Sequence, residues 1–196
     1  MERRDAVLVL AVFILIIMGS LLLLTAGHGK KAKPTTTGPA LMALPEYATT
    51  DASVSFTTDG VVNGDESHRA IRVTVSNNNR EVDIIQGYSG HVISTKTFYN
   101  TQDAYGVFLR ALSGGGFLTR LKNTKAPDDE RGLCPLGNRY IFELNQDGQT
   151  LSRLWASDCG TKVGTLGGSS SLMQTLFQNQ IPSYNDVING VSLSGS

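Results

Sequence analysis

Two cysteines, three histidines and one dense run of charge are where this sequence could do chemistry. Cys134 and Cys159 stand 25 positions apart. In a chain that also carries an export-like apolar segment, such a pair reads as one disulfide. Closing a loop of that length stabilises a fold by about 3–4 kcal/mol in the chain-entropy picture. Two free structural thiols are the other reading. A zinc site fits poorly, because there is no C-x-x-C and no histidine close to either cysteine. His68 and His91 have Asp65 and Asp83 within reach along the chain, the raw material of an acid–base pair or a metal site. On hairpin strands, however, histidines are commonly surface residues.

The remaining motifs are negative. Residues 59–66 are acidic and turn-rich, but they lack the alternating oxygens and distant glutamate of a calcium loop. Gly114-Gly115-Gly116 follows a helix pattern, whereas a phosphate cradle precedes one. Gly167-Gly168-Ser169-Ser170-Ser171 lacks the closing glycine of a nucleophile elbow. No spacing poises two carboxylates across a cleft. No catalytic, cofactor or metal residue is therefore expected. Residues 117–138 form a long charged connection with Lys122, Lys125, Asp128, Asp129, Glu130 and Arg131. Such a loop is either a solvated excursion pinned at Cys134 or a candidate partner surface.

These residues need elements to hold them. Ile71, Val73 and Val75 alternate with polar neighbours and read as a half-buried strand. Asn77, Asn78 and Asn79 turn the chain, and Val82, Ile84, Gln86 and Tyr88 return it. Residues 91–99 add a further strand, and residues 53–57 read as a short strand that begins the domain. A helix follows, capped by Asn100 or Thr101, with Ala104, Val107, Phe108, Ala111 and Leu112 as its apolar face and residues 113–116 as its stop. Tyr140, Phe142 and Leu144 mark another strand. Asp147-Gly148 is the hairpin turn, and residues 149–156 return with Leu151, Leu154 and Trp155. The serines at 169–171 cap a second helix bearing Leu172, Met173, Leu176 and Phe177, stopped at Pro182. Tyr184, Val187 and Ile188 suggest one more turn.

The predicted class is α+β: an antiparallel sheet of hairpins with two helices packed on one face. The strand–strand–helix order near 71–112 and again near 139–181 suggests a duplication.

The N-terminus sets the location. Residues 6–26 hold fourteen Leu, Ile, Val and Phe residues and no charge. Their summed insertion energy is about −4 to −8 kcal/mol, and their helical length of about 31 Å matches a bilayer core. A cleaved signal peptide would have a shorter apolar region and a better exit than Leu24-Thr25-Ala26-Gly27. The reading is a transmembrane anchor in the lipid bilayer at 6–26, after a short cytoplasmic N-terminus at 1–5. Behind it come a Pro/Thr-rich linker at 27–50, an extracytoplasmic domain at 51–188 and a flexible tail at 189–196. Lys30, Lys31 and Lys33 outweigh Arg3 and Arg4 and argue for the opposite topology. The cysteine pair favours the domain outside.

From residue 35 onward there are 12 Lys and Arg against 15 Asp and Glu, a net charge of −3. That balance excludes a nucleic-acid partner read from a basic footprint.

The stretches Arg131-Gly132-Leu133-Cys134-Pro135-Leu136-Gly137-Asn138-Arg139-Tyr140-Ile141, Leu154-Trp155-Ala156-Ser157-Asp158-Cys159-Gly160 and Leu176-Phe177-Gln178-Asn179-Gln180-Ile181-Pro182 resemble a pattern in uncharacterised single-pass proteins of candidate-phyla bacteria. The resemblance covers residues 70–185. It implies an extracytoplasmic, disulfide-bonded domain and brings no activity with it.

Two functions follow from the sequence. One is a non-enzymatic envelope domain that binds a protein or glycan, or serves structurally. The other is a small hydrolase or peptidase-inhibitor-like domain using the 117–138 loop.

Overall fold

The computed structural model describes residues 41–160 and 163–194. The expected membrane helix at 6–26 lies outside the described residues, as does most of the 27–50 linker. Among the described residues no helix is long and apolar enough to cross a membrane.

Six antiparallel strands form one sheet: β1 (Ser53–Asp59), β2 (Arg69–Val75), β3 (Asn79–Gln86), β4 (His91–Tyr99), β5 (Arg139–Gln146) and β6 (Gln149–Ser157). Their spatial order is β4-β3-β2-β1-β5-β6. The short strand that begins the domain lies in the interior of the sheet. β1 pairs with β2 on one side and β5 on the other, so Phe56 faces Val73 and Phe142 at once. Helices α1 (Gln102–Gly115), α2 (Ser170–Gln178) and the single turn α3 (Tyr184–Val187) complete the α+β architecture.

Strand alternation sorts the sheet into two faces. Val54 and Phe56, Val73 and Val75, Val82, Phe142 and Leu144 share one face and one core with Phe108, Leu109, Leu112, Met173 and Phe177 of the helices. The aromatic rings knit it together. Phe56 stacks on Phe142 with centroids 5.2 Å apart, and Phe177 meets Phe56 at 5.7 Å and Phe108 edge-on at 5.1 Å. Such pairs add about 0.5–1.5 kcal/mol each beyond the area they bury.

Local chemistry explains the element ends. The Thr101 hydroxyl accepts from the Ala104 N–H, and Gly116 closes α1 in the left-handed region at φ 82°. Ser169 caps α2 by accepting from Leu172 N–H. Asp147 and Gly148 both take positive φ, as a tight hairpin between twisted strands requires.

Three expectations are corrected. The inward face of α1 is Tyr105, Gly106, Phe108, Leu109 and Leu112, while Ala104, Val107 and Ala111 are exposed. Tyr105 rotates the face inward because its buried hydroxyl donates to the Ala52 carbonyl at 3.0 Å. The linker ends earlier than residue 50. Pro45 opens a 3-10 helix, Leu44–Thr49, whose buried Leu44 and Tyr47 pack into the core beside α1. The tail at 189–196 is not loose through residues 190–194. Val191 and Leu193 pack on the core, and the Leu193 carbonyl accepts from Val61 N–H at 3.0 Å.

Candidate functional site

The face of the sheet away from the helices carries the polar chemistry. Register aligns its side chains in rows across the strands. In one row Thr95, Asp83, Arg72, Thr57, Ile141 and Trp155 follow one another. Asp83 accepts from Arg72 at 2.8 Å and from the Thr95 hydroxyl at 2.7 Å. The next row runs Ala70, Asp59, Arg139 and Ser157.

Asp59 is the hub. One carboxylate oxygen meets His68 Nε2 at 2.7 Å, and the other accepts from Arg139 Nε at 2.8 Å. His68 and Arg139 are each only 2% exposed. Arg139 spends its remaining N–H groups on the carbonyls of Gly60, Leu133 and Cys134. The second imidazole nitrogen of His68 lies 3.2 Å from the Val61 carbonyl. Both ring nitrogens thus lie within hydrogen-bond distance of an oxygen. Tyr88 stacks over the ring at 4.1 Å with a 15° tilt. With both nitrogens engaged and Tyr88 over the ring, His68 is enclosed rather than open to a substrate. The trio ties the end of β1 to the start of β2 and the start of β5.

The sequence pairs His68 with Asp65 or Asp83, and neither pairing occurs. Asp65 instead accepts from Tyr88 N–H at 2.8 Å. His91 stands exposed opposite Gln86. The Asp59–Arg139 pair escapes sequence reading because 80 positions separate its members.

Cys134 and Cys159 are joined, with Cα atoms 5.5 Å apart. Asp158 lies close enough that its carboxylate and the two sulfurs fall within 4.8 Å. With both sulfurs in the bond, no thiolate remains to ligate a metal. Asp158 Oδ1 accepts from the Asn138 backbone N–H at 2.8 Å, and Oδ2 from the Asn138 side chain at 3.0 Å. Burial, and then the nearby Asp158 carboxylate, push the Tyr140 phenol above its ordinary range. Beside the disulfide opens a cleft of about 790 Å³, bordered by Val61, Leu136, Asn138, Asp158 and the chain at Gly190–Ser194.

The charged connection at 117–138 splits into two kinds of residue. Lys122, Lys125, Asp128, Asp129 and Arg131 are exposed, whereas Glu130 is buried at 5% exposure. Glu130 accepts from Arg153 at 2.7 Å, and Arg153 also reaches Glu143 at 3.0 Å. Trp155 is buried beneath this segment and donates its indole N–H to the Pro127 carbonyl at 2.9 Å. The connection is a strap across β5 and β6, and Glu130 is part of its underside. The Arg131 guanidinium beside Asp129 holds that carboxyl down at about 2.

No family model matches the chain, and comparison with curated proteins finds no match.

Proposed function

We propose that this protein is a domain tethered outside a membrane by residues 6–26, which works by binding a protein or glycan partner or by bracing the envelope. The Cys134–Cys159 bond carries this reading. Stable disulfides belong to oxidising compartments, and a 21-residue charge-free segment ahead of the domain supplies the anchor. The 3-10 helix at Leu44–Thr49 leaves the tether to residues 27–43. The state of the ionisable groups supports binding over catalysis. Of the two candidate histidines, His68 is enclosed with both nitrogens engaged, and His91 stands exposed opposite Gln86. The order hairpin then helix occurs as β3-β4-α1 and as β5-β6-α2, which favours descent by duplication.

The test is protease treatment of intact cells with the cytoplasmic membrane sealed. The expected result is loss of the domain and retention of a short membrane fragment. Full protection, together with two thiols that label in the unreduced, denatured chain, would overturn the reading.

A further inference from the structure

Cys134, Cys159 and Asp158 bring two sulfurs and a carboxylate within 4.8 Å of one another. Joined, the sulfurs offer a metal nothing. Parted, they are two thiolates beside a carboxylate, a donor set that suits zinc. Among the described residues no further His, Cys, Asp or Glu joins the group. The third donor is thus not a histidine but the residue next to Cys159 in the chain.

All three donors face Gly137. A β-carbon there would stand 2.1 Å from Asp158 Oδ1, 2.8 Å from the Cys159 sulfur and 2.9 Å from the Cys134 sulfur. Glycine keeps a side chain out from between them. Asp158 Oδ1 lies 3.8 Å from the Cys134 sulfur. Zinc bonds of about 2.3 Å to sulfur and about 2.0 Å to oxygen put tetrahedral S and O donors roughly 3.5 Å apart. That pair is already close to the spacing an ion needs. The two sulfurs must separate, and Cys159 is the one placed to move. Cys134 is buried, and its carbonyl accepts from Arg139 and from Gly137 N–H. Cys159 is half-buried and lies beyond the end of β6.

Asp158 is aimed by its neighbours. Oδ1 accepts from the Asn138 backbone N–H, and Oδ2 from the Asn138 side chain and, at 3.4 Å, from the Tyr140 phenol. Each carboxylate oxygen has two lone pairs, so Oδ1 keeps one for a cation. Outer donors of this kind orient the carboxylates that bind metals. The cleft beside the disulfide borders Asn138 and Asp158, which gives water access to a fourth position. Three protein ligands and one water make the open form of a zinc site.

We propose that the reduced chain binds Zn2+ through Cys134, Cys159 and Asp158. The loop between the cysteines is then clamped by an ion in reducing surroundings and by a bond in oxidising ones. A dithiol takes the disulfide to two thiols and leaves as its own disulfide. Zn2+ displaces both thiol protons as it binds. Oxidation runs the other way: two electrons pass from the thiolates to a disulfide oxidant, the S–S bond forms and the ion departs. Neither side of the membrane is presupposed. A chain in an oxidising space holds the ion until its thiols are oxidised, and one in a reducing space keeps it.

The test uses the full chain in lipid nanodiscs, reduced without oxygen by a phosphine that is then removed. Co2+ is titrated in as a spectroscopic stand-in for Zn2+. The wild type is expected to bind it stoichiometrically, with a thiolate-to-cobalt charge-transfer band and the intense visible bands of tetrahedral coordination, all lost when Zn2+ displaces it. The oxidised chain should show none of these bands. Asn138→Ala, which removes one donor that aims the carboxylate, should weaken binding roughly tenfold, and Asp158→Asn by at least as much. Oxidised Asp158→Asn should keep a cooperative thermal transition, which reads its fold apart from its metal. Absence of the charge-transfer band in the reduced wild type would overturn the proposal. Unchanged affinity in Asp158→Asn would do the same, since two thiols would then be binding unaided. Equal affinity in the urea-unfolded chain would also overturn it, because folding would then build no site. Protease exposure of the domain is read separately and judges the tether alone.

Discussion

Gly116 and Gly168 meet backbone to backbone. A β-carbon on Gly168 would lie 2.5 Å from the carbonyl oxygens of both Gly115 and Gly116. The two glycine-rich stretches, far apart in sequence, are there for each other. One ends α1 and the other starts α2, and the Gly115 carbonyl accepts from Ser169 N–H at 2.9 Å across the seam. Gly168→Ala should therefore cost at least the 1–3 kcal/mol typical of overpacking. Gly114, one turn position away, would place its β-carbon in open space. Gly114→Ala should stabilise by about 0.5–1 kcal/mol through helix propensity. Urea unfolding of the two variants measures the contrast, and equal effects would mean the seam is not close-packed.

The disulfide and Gly137 should fail together. Reducing the bond is expected to cost about 3–4 kcal/mol. Gly137→Ala would put a β-carbon 2.1 Å from the Asp158 carboxylate and against both sulfurs. The bridge must then shift, and Gly137→Ala should be reduced by dithiothreitol faster than the wild type. Thiol release followed against time reads the difference directly.

Arg139 is the partner that makes Asp59 tolerable. Stranding a wholly uncompensated buried charge costs about 3–5 kcal/mol; Asp59 keeps His68 and is partly exposed, so the loss here is expected below that range. Arg139→Met should still show a clear loss in chemical denaturation. Arg139→Met combined with Asp59→Asn should recover part of it, which a purely steric role for Arg139 would not allow.

Tyr105 sets an alkaline limit. Burial pushes its phenol well above the ordinary value, so the folded state favours the neutral form. That contribution is complete below pH about 10, the unfolded pKa, and is lost as pH rises beyond it. Tyr105→Phe should lose about 1 kcal/mol at neutral pH with its bond to the Ala52 carbonyl. It should also flatten the alkaline limb of the stability profile. A limb equally steep in Tyr105→Phe would assign it to other groups.

What the sequence makes legible follows from locality. Alternation at Ile71, Val73 and Val75, the Asp147-Gly148 turn and the Ser169 cap are short-range signals, and each stands in the structure where it was read. The cysteine bridge is legible because the residue type itself is informative. What escapes is decided by register between distant strands. Nothing near Asp59 in the chain announces Arg139. Nothing in the apolar pattern of α1 announces that Tyr105, through one hydroxyl, outranks Val107 for the inward face.

The central place of β1 bears on how the chain assembles as it is made. β2, β3 and β4 pair with neighbours close in sequence, so that meander and its ladder to β1 can form early. The other side of β1 waits for β5, where Val54 meets Leu144. Until residues 139–146 emerge, β1 stands as an open edge of the half-built sheet, the kind of edge that invites wrong pairings. Closing it joins residues far apart along the chain, the slowest class of contact. Pairing β1 with β5 closes that edge along the whole ladder from Ser53–Asn145 to Asp59–Arg139.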